Sequence, residues 1–153
     1  APKARIVTVS AALHIYGKIH FENINLRNGA YTPLLGYTQS KLANILFTQE
    51  LARRLGSNST VTAYSLHPGV IMTELQRNLS NILRYFLSYF VVSTEMGVQT
   101  TLYCALEDNI ENESGDCRRV SRLISQANDV ESAKKLWQLS CDLVKLEDNL
   151  RID

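Results

Sequence analysis

The sequence predicts an α/β protein with a parallel sheet, and three segments of the chain support that prediction. A β-branched run occupies residues 6–10, a long amphipathic stretch covers residues 36–55, and a second β-rich run covers residues 60–66. A strand, a helix of this length and another strand in this order form a crossover unit, in which the two strands lie parallel. We therefore expect one α/β domain over residues 1–153.

The first strand is predicted over residues 6–10, where the run Ile-Val-Thr-Val has strong β preference and no helical period. Residues 11–35 show no clear period and contain several glycine, proline and asparagine residues, so they are predicted to be mostly loop. A long loop between a strand and a helix often carries functional residues.

The long helix is predicted from Gly36 to Leu55, because its apolar residues recur at helical spacing and Gly56 provides a stop after them. The second strand is predicted over residues 60–66, and His67-Pro68-Gly69 ends it. Further helices are predicted within residues 74–106 and a tail helix over residues 129–145, whereas residues 107–122 are polar and are predicted to be irregular.

The composition excludes several classes of function. A formal net charge of +1 leaves no basic excess for binding a phosphate backbone, so nucleic acid is not an expected partner. No apolar run reaches the roughly 20 residues that a spanning helix needs. No metal site is expected, because the three histidines are not spaced as metal ligands; they are His14, His20 and His67. The chain begins without methionine and a strand follows at once, so we interpret it as a fragment.

Tyr37 and Lys41 are the candidate chemical pair. They are four residues apart at the start of the long helix, so both side chains project from one face. A phenol with a reference pKa of about 10 is a poor acid or base at neutral pH, but a nearby ammonium favours its ionised form and lowers that pKa. The pair could then exchange a proton with a hydroxyl or carbonyl group. Such pairs also occur often on solvated helix faces with no function.

The order of these segments resembles the short-chain dehydrogenase/reductase family. In that family a strand ends at a catalytic serine, a Tyr-x-x-x-Lys helix follows, and a Pro-Gly motif after the next strand touches the nicotinamide. Residues 36–55, Gly17 to Phe21 and Leu136-Trp137 look most like the retinol dehydrogenase branch. The resemblance covers nearly the whole chain. It implies the C-terminal part of a Rossmann-like doubly wound parallel sheet, incomplete in this sequence.

By this resemblance Tyr37 is the general acid/base, and Lys41 lowers its pKa and binds the nicotinamide ribose. The segment after the second strand is expected to lie against the nicotinamide, and its cofactor-binding candidates are Pro68, Gly69, Val70, Ile71 and Thr73. The position of the substrate lid in the family falls on an apolar run that is either a lid or a core helix; its aromatic residues are Tyr85, Phe86, Tyr89 and Phe90.

Ser10 is the third catalytic candidate, and its neighbour departs from the family pattern. The register set by Gly17 and Phe21 places Ala11 where the family has its catalytic serine. Loss of one hydrogen-bond donor to a developing oxyanion typically costs ~10²–10³ in rate. Ser10 could replace it only after a small shift, since neighbouring residues on a strand point to opposite faces.

The implied activity is that of an oxidoreductase that interconverts a hydrophobic, retinol-like alcohol and its aldehyde or ketone with NADP, or with NAD. The family's glycine-rich dinucleotide turn does not occur in this sequence. The chain is therefore interpreted as the C-terminal part of a parent enzyme. The alternative is a truncated, catalytically impaired chain that acts as a binding or regulatory module, and Ala11 favours it.

The expected partner is a small hydrophobic alcohol or carbonyl compound, and the resemblance leaves a homodimer open. It implies that the parent is located at the endoplasmic reticulum membrane. Membrane contact is expected only through an N-terminal segment of the parent or through the apolar lid. This chain alone is expected to be soluble and cytoplasmic.

Overall fold

The computed structural model describes residues 3–69, 92–115, 117–118 and 125–152. Within them, a parallel sheet of three strands forms in the order β1-β2-β3. The strands are β1 (Ala4–Val9), β2 (Val61–Leu66) and β3 (Cys117–Arg118). The α/β class and the incomplete parallel sheet are thus confirmed.

The strand boundaries differ slightly from the prediction. β1 begins at Ala4 because the Ala4 amide already donates to Thr60 O at 2.9 Å, which extends the pairing backwards from residue 6. Ser10, predicted as the last strand residue, lies just beyond β1, although its amide still donates to Leu66 O at 2.7 Å. β2 begins at Val61, one residue later than predicted.

The pairing of β1 also defines its outer edge. The amides of Ala4 and Ser10 both donate to residues of the β2 side. Because successive residues of a parallel strand direct their amides and carbonyls to alternate sides, those of Arg5, Val7 and Val9 are directed away from β2. We call this side the outer edge of β1.

Helix α1 (Pro33–Leu55) connects β1 and β2, and its predicted start at Gly36 is wrong by three residues. Thr32 caps the helix by accepting from the Leu35 amide at 3.2 Å, and Pro33 occupies the first turn, where its missing N–H costs nothing. The predicted end is correct, because Gly56 adopts a φ of +69° after Leu55.

Two further helices lie in the C-terminal half. Helix α2 (Thr94–Leu106) is capped by Ser93, and helix α3 (Val130–Leu143) is capped by Asp129. The tail helix ends two residues before the predicted end at residue 145, because Lys145 has a φ of +53°. The segment predicted to be irregular contains a 3₁₀ helix (Asp108–Glu113) as well as β3. Residues 74–91, which include the predicted lid, lie outside the described residues.

The core lies between α1, α3 and the sheet. One apolar cluster joins α1 to α3 and contains Leu42, Ile45, Leu46 and Leu136. In a second cluster, the Phe47 and Trp137 rings stack with their centroids 5.3 Å apart. β2 is buried from Ala63 to Leu66, whereas no residue of β1 is fully buried. No helix in the described part of the chain is long and apolar enough to span a membrane.

Candidate catalytic site at the ends of two strands

Tyr37 and Lys41 lie on one face of α1, above the C-terminal end of β1. The Lys41 Nζ atom is 5.6 Å from the centroid of the Tyr37 ring, and both side chains are partly buried. The same Nζ atom donates a hydrogen bond to Val9 O, the last residue of β1, at 3.2 Å. The structure therefore brings together the two residues that the sequence selected as a chemical pair.

Three hydrogen bonds fasten α1 to this strand end. Besides the bond from Lys41, the Asn44 Nδ2 atom donates to Val9 O at 3.0 Å. The Ser10 hydroxyl donates to the Lys41 carbonyl at 2.7 Å. Asn44 was missed in the sequence, although its position three residues after Lys41 places it on the same helix face. The strand end and α1 therefore position the ammonium together.

Ser10 and Ala11 have different environments. Ser10 is only 2% exposed, and its single hydroxyl proton is given to the Lys41 carbonyl. Ala11 is 8% exposed, and its carbonyl accepts from the His14 amide and lies 2.9 Å from His14 Nδ1. The described hydrogen bond of Ser10 is thus made within the protein, and a catalytic role for this residue stays a prediction.

The pKa of Tyr37 is raised above its ordinary value of 10.0, and the cause is burial of the phenol. The expectation that Lys41 lowers this pKa is wrong for this arrangement. The Lys41 ammonium is bonded to Val9 O and contacts the face of the Tyr37 ring. Tyr37 is therefore a protonated phenol at neutral pH.

Pro68 and Gly69 follow directly after β2. Because β1 and β2 are parallel neighbours, their C-terminal ends lie at one edge of the sheet, where α1 presents Tyr37. Gly69 has a φ of +98°, and a β-carbon there would come within 2.7 Å of the Val92 side chain, so this turn requires glycine. The other cofactor-binding candidates lie outside the described residues: Val70, Ile71 and Thr73.

Comparison with known proteins gives a consistent result. Retinol dehydrogenase 11 from Homo sapiens is 45% identical over 150 residues, which cover 94% of this chain and 46% of that protein. Retinol dehydrogenase 12 from Mus musculus is 41% identical over 150 residues with the same coverage. These relatives are short-chain dehydrogenases/reductases, and this chain is similar to them over 94% of its length. No family model matches it.

The chain spans about half the length of the retinol dehydrogenases it matches, and it aligns with their C-terminal half. A crystal structure of an uncharacterized protein from Mycobacterium paratuberculosis superposes on it with a TM-score of 0.71 and 34% sequence identity. That match covers 95% of this chain and 52% of the other. The resemblance read from the sequence to this family, and to its retinol dehydrogenase branch, is confirmed.

Two side-chain donors lie at this edge of the sheet, the Lys41 ammonium and the Tyr37 hydroxyl, and both are of a kind that can bond ribose hydroxyls. On the β-carbon side of Gly69 the space is filled by the Val92 side chain. Within the described residues, no group of three histidine, cysteine or carboxylate side chains could hold a metal ion.

Proposed function

We propose that this chain carries the proton-transfer site of an oxidoreductase that interconverts a hydrophobic alcohol and its aldehyde or ketone. The observation that carries the proposal is the placement of Tyr37 and Lys41 on one helix face at the end of β1. The names of the relatives, retinol dehydrogenases 11 and 12, support a retinoid-like substrate. NADP is the proposed cofactor, with NAD as the alternative.

A nicotinamide dinucleotide, when bound, supplies the hydride for the carbonyl carbon or accepts it from the alcohol carbon. In the direction of reduction, the Tyr37 hydroxyl donates its proton to the substrate oxygen as the alcohol forms. In the direction of oxidation, the Tyr37 oxygen takes that proton back. Burial, which raises the pKa of Tyr37, keeps the phenol protonated and therefore favours its role as an acid in reduction.

Lys41 acts after Tyr37 has lost its proton. Once Tyr37 has given up its proton, its oxygen carries a negative charge in a partly buried position, which is unfavourable without a nearby cation. The Lys41 ammonium is the cation on the same helix face. To reach the phenol oxygen it has to exchange its bond to Val9 O for a bond to that oxygen or to a ribose hydroxyl.

The experiment that tests this function replaces one hydroxyl in the intact protein. Tyr37→Phe removes the proton and keeps the ring, so we expect kcat for NADPH-dependent reduction of retinal to fall ~10²–10⁴-fold, with cofactor affinity nearly unchanged. The matched control is Tyr16→Phe, because Tyr16 is 71% exposed. Its kcat is expected to stay within about twofold of the parent value. Equal activity of Tyr37→Phe and the parent would exclude the assigned role.

A second candidate function is that of a catalytically impaired binding or regulatory module. Two observations favour it: Ala11 stands at the family's serine position, and the Ser10 hydroxyl is bonded to α1. Titration of the intact protein with NADPH, followed by nicotinamide fluorescence and combined with an assay of retinal reduction, separates the two proposals. Saturable binding with proton-linked turnover supports the enzyme, whereas binding of a carbonyl ligand without turnover supports the module. The same titration with NADH compares the two cofactors.

A further inference from the structure

His14 lies in the first turn after β1, and it is fully buried. Its main-chain amide donates to Ala11 O at 3.0 Å, and its ring nitrogen Nδ1 lies 2.9 Å from the same oxygen. A carbonyl oxygen has two lone pairs, so His14 occupies both of them. These contacts join residues three positions apart, and they use no group that a further strand or the rest of a longer protein has to supply.

The contact with Ala11 O defines which ring nitrogen of His14 carries a hydrogen. The carbonyl oxygen only accepts, so Nδ1 is the donor, and Nε2 of the neutral ring is then an acceptor. Within the described residues Nε2 is buried without a hydrogen-bond partner, and any partner that it meets in the intact protein has to be a donor. An apolar side chain could fill this space without burying a second nitrogen. The bond from Nδ1 to Ala11 O is what a histidine supplies here and an apolar residue cannot.

The same turn is seated on α1. The Gly17 amide donates to His14 O at 2.8 Å, which closes the turn. A β-carbon at Gly17 would come within 2.5 Å of Thr38 O and 2.9 Å of Leu42 Cβ, so the turn approaches the helix as closely as a glycine allows. Thr38 and Leu42 each directly follow a member of the candidate chemical pair. The turn that holds Ala11 is therefore packed on the part of α1 that presents this pair.

We propose that His14 is a positioning residue for position 11: its Nδ1–H bond to the Ala11 carbonyl sets the direction in which residue 11 presents its side chain to the substrate beside Tyr37. The inference rests on the proposed function. Ala11 has an extended backbone, with φ of −152° and ψ of 155°, and its carbonyl cannot rotate without breaking both bonds from His14. His14 therefore acts through residue 11 and does not touch the substrate.

The proposal has a definite consequence for a protein without the ring donor. The bond from the main-chain amide of residue 14 remains, so the turn itself persists. The Ala11 carbonyl is then held at one lone pair only, and residue 11 gains rotational freedom. A serine hydroxyl introduced at position 11 would be directed less precisely at the substrate oxygen, so it would stabilise the developing charge less well.

The test uses three substitutions of His14 in the intact protein, each made with Ala11 and with Ala11→Ser. His14→Asn keeps an N–H donor at the same number of bonds from the backbone as Nδ1. His14→Gln places its donor one bond further out, as Nε2 is, and His14→Leu has none. His20→Asn is the matched control, because His20 is half-buried and its described hydrogen bond comes from its main-chain amide. Thermal unfolding reports whether each variant is folded.

The first measurement is the gain in kcat that Ala11→Ser produces in each background, for reduction of retinal by NADPH. We expect a gain of ~10-fold in the parent, in His14→Asn and in His20→Asn, and of less than ~2-fold in His14→Gln and His14→Leu, with little change in KM. A merely structural role of His14 would lower kcat equally with alanine and with serine at position 11, and the gain would stay at its parent value.

The second measurement is nitrogen-15 NMR of labelled histidine in the intact protein, with the His14 signals assigned through His14→Asn. A hydrogen on Nδ1 of His14 supports the proposal, and its absence overturns it. Equal gains in all folded backgrounds also overturn it, as does the lack of any gain in the parent, because position 11 then has no role for His14 to control. If His14→Leu does not fold, His14→Gln decides. A failure of the proposed function is seen separately, as full activity of Tyr37→Phe.

Discussion

Substituting serine for Ala11 tests which residue at the end of β1 takes part in the chemistry. Ser10 would have to redirect its only hydroxyl proton from the Lys41 carbonyl, 2.7 Å away, to reach a substrate. Breaking that bond costs about 1 kcal/mol. A donor at position 11 carries no such penalty, because Ala11 has an extended backbone and its side chain points to the other side from Ser10.

The expected gain follows from these numbers. Removal of an established oxyanion donor costs ~10²–10³ in kcat, and a donor introduced without supporting contacts recovers part of that. We expect Ala11→Ser to raise kcat ~10-fold, which corresponds to about 1.4 kcal/mol of transition-state stabilisation. KM is expected to change little, because the bond strengthens as charge develops on the substrate oxygen.

The assay is reduction of saturating retinal by NADPH in the intact protein, with Ala12→Ser as the control because Ala12 is exposed. Ser10→Ala is measured beside it and is expected to cost about 1 kcal/mol of stability with a small effect on kcat. The reasoning is refuted if Ala11→Ser leaves kcat unchanged and Ser10→Ala lowers kcat ~10²-fold, since Ser10 would then donate the hydrogen bond to the substrate. If neither substitution changes kcat, this strand end takes no part in the chemistry.

The remaining predictions concern charge and pH. Glu50 is 1% exposed and binds both Arg53 and Arg54, so Glu50→Gln is expected to lower the free energy of unfolding by about 2–3 kcal/mol in urea titrations. The control Glu131→Gln should change it by at most about 0.5 kcal/mol, because Glu131 is 82% exposed. The hydrogen bond from Arg53 holds the pKa of Glu50 below its ordinary value of 4.5, so its contribution is present above that value and is lost as pH falls through the lower folded pKa. Urea midpoints measured from neutral to acidic pH should therefore fall more steeply in the parent than in Glu50→Gln, and parallel curves would contradict this. Since burial raises the pKa of Tyr37, the rate of carbonyl reduction should be nearly constant between about pH 6 and pH 9, and a decline within that range would show that the phenol ionises earlier.

The elements that the sequence predicted well depend on local patterns. The apolar spacing within residues 36–55 located α1, because burial of one helix face places apolar residues at a regular interval. The β-branched runs located β1 and β2, because buried strands are rich in such residues. The start of α1 was predicted less accurately. The helix begins three residues earlier, because Thr32 caps it and Pro33 is tolerated in its first turn. β3 was missed because a strand of two residues exists only through its pairing with β2.

The pairing of Tyr37 with Lys41 was predictable because both lie on one helix turn. The partner of Lys41 was not, since Val9 is 32 residues away in sequence and contributes a backbone carbonyl, which any residue type could supply. For the same reason the pKa direction of Tyr37 was predicted wrongly. It depends on burial and on where the ammonium is held, and both are set by tertiary packing.

The outer edge of β1 has a consequence for how this chain behaves in concentrated solution. A strand whose amides and carbonyls are directed away from its sheet neighbour is a template for a strand of another molecule. Side chains of α1 block this edge at Val9 by bonding to its carbonyl. Within the described residues, no side chain of α1 bonds to the backbone of Arg5 or Val7, and Ile6 beside them is 40% exposed. The positive charge of Arg5 opposes approach of a second copy, and salt screens that repulsion. Light scattering of the 153-residue chain should therefore show association that increases with ionic strength.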